Sequence, residues 1–315
     1  MRGSLTKGMA FNSLRKADTK SKAYFALGLV CFFWGTTWIA SKQGVRYMPA
    51  LQLAGIRQLA GGILYAIYFL GKGRMLPRGK EWRPILILSF LNFVLANALS
   101  TWGVQYISAG LASIIAATYP LWVVVIVMIN EKAALPVKVM AGFFIGFGGI
   151  CLIFFEHLDD FLNLSFVFGI LISFAATWAW AFGTLYTKKQ AKSFNPYFSL
   201  GLQMIISGIV LLSVTSASGQ SIPIAQIPLQ AWLSILYLII FSSIVTFVAF
   251  LYALQHLSAA QTSVYAYVNP VVSVLLGALF FNEKLSLMLA AGVAITLYGV
   301  YMINQLMRKN GVQNK

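Results

Sequence analysis

The sequence predicts an all-α integral membrane protein of ten transmembrane helices, arranged as two inverted-topology repeats of five with both termini cytoplasmic. Three observations predict it. First, 59% of the 315 residues are hydrophobic and only 10% charged, with a mean hydropathy of +0.80, which leaves too little polar material to cover a soluble globule. Second, the chain repeats itself: QYISAGLASIIAATYP (Gln105 to Pro120) and QHLSAAQTSVYAYVNP (Gln255 to Pro270) share six of sixteen residues without a gap. Both run on through an apolar stretch to Asn-Glu-Lys, at Asn130-Glu131-Lys132 and Asn282-Glu283-Lys284, a repeat signal in its own right. Third, with a cytoplasmic N-terminus, nineteen Lys and Arg residues fall on the inner side and only Lys42, Arg46 and Lys284 on the outer, as the positive-inside rule requires. The net charge of +16 is therefore a topology signal and not a nucleic-acid footprint.

Ten apolar segments lie near 23–41, 52–70, 85–104, 109–129, 138–155, 166–187, 197–217, 232–254, 261–281 and 287–306. Each approaches the roughly 20 helical residues that a hydrocarbon core of about 30 Å demands. Their continuity, without period-two alternation, argues against barrel strands. Residues 1–22 form a basic cytoplasmic tail expected to be irregular, 23–155 the first repeat, 166–306 the second, and 307–315 a second cytoplasmic tail. A basic start before an apolar run also resembles a signal peptide, but Trp34 and Trp38 and the lack of a small-x-small cleavage site favour an uncleaved first helix. The repeat extends outward: Trp34, Lys42 and Gly62 recur 146 positions later as Trp180, Lys188 and Gly208, and Gly142 and Gly149 recur 150 later as Gly292 and Gly299. Five helices per copy bring the second copy into the membrane from the opposite face, an arrangement that lets two halves alternate access to a site near the midplane.

Candidate functional residues follow in chain order. In the first segment Trp34 and Trp38 stand four apart on one face with Thr37 beside them. Arg57 lies within the second segment, where a cation costs several kcal/mol unless it snorkels, pairs or faces water. Every carboxylate lies at a helix end or in a loop, so snorkelling to the outer interface and a watery cavity are the two readings left. Asn92 and Asn97 in the third segment serve either interhelical hydrogen bonds or a cavity wall. Ser108-Ala109-Gly110 and Ser258-Ala259-Ala260 leave almost no loop, which predicts tight antiparallel hairpins. Tyr119-Pro120 in the fourth segment and Tyr265 with Asn269-Pro270 in the ninth are expected to break their helices, because proline lacks a donor and frees a carbonyl one turn earlier. Broken helices at matching positions point to a transport site; plain packing kinks are the alternative. Trp178 and Trp180 repeat the aromatic theme in the sixth segment, and Gln203 in the seventh occupies the place of Arg57. Glycines of the fifth and tenth segments are read as packing surfaces, Cys31 and Cys151 as small hydrophobes, the link 156–165 with His157 as a solvated outer loop, and His256 as an interface residue.

Taken in order, these motifs resemble the EamA-type branch of the drug/metabolite transporter superfamily: tandem five-helix units, Trp34-Gly35 in the first helix, Arg57 in the second, the Ser108-Ala109-x-x-Ala112-Ser113 hairpin, the mid-helix prolines, and Glu131 and Glu283 ending the fourth and ninth helices. The resemblance covers about residues 22–306. One departure is the interval from Pro120 to Glu131, two residues shorter than that from Pro270 to Glu283. The resemblance implies a bacterial inner-membrane carrier, often an exporter of amino acids or other small metabolites, with helices 1–4 and 6–9 around a central cavity and 5 and 10 at the periphery. Carried onto this chain, it implies cavity positions for Trp34, Thr37, Trp38, Arg57, Tyr119, Pro120, Trp178, Trp180, Tyr265, Asn269 and Pro270; the residues themselves add Asn92.

The expected ligand is a small amphipathic metabolite, its apolar part stacked on aromatics and its polar part bonded by Asn269, Thr37 and freed carbonyls. With no acid inside a span to change protonation, facilitated export and proton antiport both stay open. An intramembrane enzyme is not expected, since the chain has two His, no H-E-x-x-H and no aspartate in any span. A non-transporting lipid-interacting or receptor-like membrane protein is the alternative. The expected partners are the small-molecule substrate and membrane lipids, with no nucleic acid, cofactor or metal, and a monomer suffices.

Overall fold

The computed structural model describes residues 2–131, 137–190, 195–257, 262 and 265–309, and every regular element among them is helical. In chain order the rods are α1 (Arg2–Gly44), α2 (Ala50–Gly71), α3 (Gly79–Tyr106), α4 in two pieces (Ala109–Ala117 and Tyr119–Glu131), α5 (Val137–Phe155), α6 (Leu164–Gln190), α7 (Pro196–Ala217), α8 (Leu229–His256), α9 (Tyr265–Phe281) and α10 (Leu287–Lys309). Among the described residues seven helices are long and apolar enough to cross a membrane, and α4, α9 and α10 contribute shorter apolar stretches. In hydrocarbon each backbone N–H and C=O must be satisfied within the protein, which helices do segment by segment. Large apolar side chains such as Ile67, Phe144, Leu275 and Leu279 stand exposed on the outside, a surface suited to lipid tails. The basic start, expected to be irregular, belongs to α1, which begins at Arg2. The Ser258-Ala259-Ala260 hairpin and Lys132 lie outside the described residues.

Helices from opposite repeats pair through glycine. A Cβ on Gly62 of α2 would stand 2.6 Å from the Gly201 carbonyl of α7, and one on Gly208 of α7 would stand 2.6 Å from the Leu59 nitrogen of α2. The α5–α10 pair uses Gly142, Gly149, Gly292 and Gly299 in the same way, a Cβ on Gly299 colliding with the backbone of Gly146. Without a hydrophobic drive between helices in lipid, such close backbone approach is what holds them together.

Two departures from regularity shape the interior. Both α3 and α8 widen into π-helix at matching places, Ser89–Asn97 and Leu238–Thr246; the wider ring leaves carbonyls for side chains to use, and Tyr65 Oη donates to the Ser243 and Ile244 carbonyls at 3.1 and 3.3 Å. The prolines behave differently from each other. Thr118 separates the pieces of α4, its N–H and hydroxyl both donating to the Ile115 carbonyl, and Pro120 lies in the first turn of the second piece. The helix α9 runs unbroken through Pro270, so the expected second break is absent.

Candidate functional site

A cavity of about 140 Å³ opens between the two repeats. Trp34, Thr37, Trp38 and Ser41 of α1 face it, with Arg57 of α2, Asn92, Asn97, Ser100 and Thr101 of α3, Ser113 and Tyr119 of α4, Thr177 and Trp180 of α6, Ser242 and Phe247 of α8, and Tyr265, Asn269 and Pro270 of α9. These positions bias it toward the Gly44 end of α1. Its size is close to the ~150 Å³ of an apolar cavity that accepts benzene.

The cation in this wall is buried and does not snorkel. Arg57 is 2% exposed, and its Nη2 donates to Asn97 Oδ1. Gln58 Nε2 donates to the same oxygen at 3.1 Å and to the Phe93 carbonyl at 3.3 Å, while Ser207 Oγ donates to Gln58 Oε1 at 2.5 Å. Arg57 Nε is buried with no hydrogen-bond partner. Among the described residues no carboxylate lines the cavity. Asn92 is wedged against Gly183, where any Cβ would overlap its amide, and its Oδ1 is buried without a partner. The Asn269 amide nitrogen donates to the Cys31 and Tyr265 carbonyls at 2.8 and 3.1 Å. Pro270, lacking an N–H, leaves the Ala266 carbonyl without its usual helical donor, beside the cavity.

An aromatic layer closes the cavity at depth. The Trp34 ring meets Phe250 and Tyr265 at 5.0 Å, Phe247 at 5.4 Å and Trp180 at 5.9 Å; Tyr119 stacks on Tyr265 at 5.9 Å, and Trp180 Nε1 donates to Tyr265 Oη at 3.3 Å. Beyond it lies a second cavity of about 70 Å³. Its walls come from the opposite helix ends, Ile85 and Leu88 in α3, Thr184 and Thr187 in α6, Ser199 and Gln203 in α7, and Leu251 and Leu254 in α8, and it shares Asn92, Trp180 and Phe247 with the first.

The sequence description of the EamA-like transporter family matches residues 21–155 and again 167–305. The chain belongs to this family. Relatives include the uncharacterized transporter YvbV of Bacillus subtilis, 27% identical over 90% of this chain and 92% of its own length, and the uncharacterized inner membrane transporter YedA of Escherichia coli K12, 29% identical over 89% of each. A chain of known crystal structure superposes with a TM-score of 0.67 at 17% identity, covering 92% of this chain and 99% of that one; it shares the fold.

Within this EamA-like transporter, ten of the twelve positions expected in the cavity from sequence line it: Trp34, Thr37, Trp38, Arg57, Asn92, Tyr119, Trp180, Tyr265, Asn269 and Pro270. Two do not. Trp178 is 49% exposed and packs edge-on against Trp122 at 5.0 Å, on the opposite side of α6 from Trp180. Pro120 is buried and does not line the cavity. Sequence reading missed Phe247, which belongs to both cavities, and the hydroxyls of Ser41, Ser100, Thr101, Ser113, Thr177 and Ser242. The repeat offset would have found Ser242, which stands 150 positions after Asn92.

The family motifs at the helix ends complete the site's frame. The first turn of α4 has N–H groups with no acceptor in the helix itself. Glu283, from the far repeat, takes Ala109 and Gly110 at 2.8 and 3.2 Å and Ser108 Oγ takes Leu111 at 3.0 Å; from Ala112, which donates to the Ser108 carbonyl at 3.0 Å, the helix's own ladder takes over. Asn282 has φ 55°, a left-handed conformation that Asn tolerates better than most residues, and this turns Glu283 back over Gly277, where a side chain would collide with the carboxylate. Opposite it, Lys42 Nζ donates to the Val104 and Ile107 carbonyls at the end of α3 at 2.7 and 2.8 Å. One acid and one base thus complement both dipole ends of the α3–α4 hairpin.

Proposed function

We propose that this chain is a secondary transporter of the bacterial inner membrane, with ten crossings in two inverted repeats and both termini inside, that exports small amphipathic metabolites such as amino acids by alternating access. Transport, and not catalysis, is what the site supports. The observation that carries the reading is the pair of cavities: they stand at opposite ends of α3, α6 and α8, correspond at several positions through the repeat, and meet at the aromatic layer and Asn92. Trp38, Ser41, Arg57 and Ser100 in the first answer to Thr184, Thr187, Gln203 and Phe250 in the second, 146 or 150 positions on. Exchange of conformations between the repeats then opens one cavity as it closes the other. The first faces outward if α1 enters from the cytoplasm. Aromatic faces hold the apolar part of the solute, and Asn269, Thr37 and the Ala266 carbonyl its polar part.

Purified protein in liposomes, assayed with labelled amino acids and nucleobases with and without a pH gradient, tests this. Saturable flux of at least one solute is expected; no flux across the panel counts against the reading. Trp180→Ala, which thins the dividing layer, is expected to lower exchange at least ~10-fold while the protein still purifies as a folded species. Wild-type rates in that variant would remove Trp180 from the permeation path.

A further inference from the structure

The transport reading leaves the solute's chemical class open, and the difference between the two cavities bears on it. Arg57 is fully buried, keeps one neutral side-chain partner and carries a buried, unpartnered Nε at a cavity that no acid lines among the described residues. Removing a guanidinium from water is unfavourable unless a counter-charge meets it. The fold does not ask for that cation: the equivalent position in the second repeat is Gln203, satisfied by donating to Ser199 Oγ at 2.9 Å. The neighbours of Arg57 change in the same direction, because Asn97 and Thr101 become Phe247 and Leu251 in the second cavity. Among the described lining residues, positive charge is thus a feature of the first cavity alone.

Building on that reading, we propose that the first cavity is an organic-carboxylate site, with the carboxylate on the free edge of Arg57 and the apolar remainder against the Trp34–Trp180 layer. A planar guanidinium presents paired donors that match a planar carboxylate. One cation calls for a monoanion, and a phosphate monoester, with close to two charges at neutral pH, would leave charge unmatched in a dry wall. The second cavity, with no cation among its described lining residues, holds the same anion more weakly, so affinity is higher when the first cavity is open.

Equilibrium binding of radiolabelled benzoate to the full-length protein in detergent, with unlabelled benzamide as the neutral isostere competing for it, tests the site independently of flux. Hydrogen bonds to charged groups are worth enough to favour benzoate by about 10-fold or more. Arg57→Lys is expected to keep part of that preference and Arg57→Gln to abolish it. Should Arg57→Gln fail to fold, Asn97→Asp serves in its place: it leaves the guanidinium but supplies an internal carboxylate, and is expected to abolish the preference equally. Equal affinity for the two probes, no benzoate binding at millimolar concentration, or a preference that survives Arg57→Gln or Asn97→Asp would overturn the proposal. Benzoate binding that depends on Arg57 in a protein showing no flux would instead overturn the transport reading and leave the site standing.

Discussion

At the scale of the residue, Glu283 connects motif to mechanism most directly. Its carboxylate accepts two backbone N–H groups of the opposite repeat, and loss of a charged acceptor from partly buried donors costs about 1–3 kcal/mol. Glu283→Ala is therefore expected to lower the Tm in detergent clearly, Glu283→Gln less, and Lys284→Ala, at an exposed neighbour, within the roughly ±0.5 kcal/mol of an ordinary surface change. Equal Tm for Glu283→Ala and wild type would deny the cap. The Asn-Glu-Lys repeat was legible in the sequence, but its purpose was not, since the partner amides lie 174 positions away and backbone donors leave no mark on composition. Arg57 was half legible: its depth predicted cost, yet only the packing of α2 against α3 decides between snorkelling and burial.

At the scale of the element, adjacent glycines on α5 separate packing from propensity. A Cβ on Gly149 would stand 2.5 Å from the Thr296 nitrogen and 2.6 Å from the Gly292 carbonyl, whereas one on Gly148 meets nothing within 4 Å. Gly149→Ala should destabilise by about 1–3 kcal/mol, the usual cost of overpacking, and Gly148→Ala should be neutral or stabilise by roughly 0.5–1 kcal/mol through helix propensity; thermal melts of the two purified variants decide it, and a reversed order would mean that α5 does not meet α10 on this face. Sequence period could not place every side chain. Trp178 and Trp180 stand two apart, so one helix cannot turn both to a single cavity, and nothing in the run of apolar residues says which is chosen. The π segments were equally hidden, because they shift helical phase inside stretches whose hydropathy is uniform.

At the scale of the whole molecule, the helical membrane architecture was readable because it rests on quantities that add along the chain, hydropathy and the repeat, whereas the cavity depends on which faces meet. The proposed topology makes a direct expectation. In a background with Cys31→Ala and Cys151→Ala, a membrane-impermeant maleimide applied to intact cells should label Asp159→Cys at once and Lys80→Cys only after permeabilisation; the reverse pattern would invert the orientation. The hairpin cap also sets a timetable for assembly. Translation at roughly 5–20 residues per second puts about 10–35 seconds between the emergence of Ala109 and that of Glu283. Throughout that interval the first turn of α4 depends on interfacial water for its amides, so the leading half of the protein is finished only by the last helices to leave the ribosome. A nascent chain stalled after α8 should accordingly show a protease-sensitive α3–α4 hairpin that the completed chain protects.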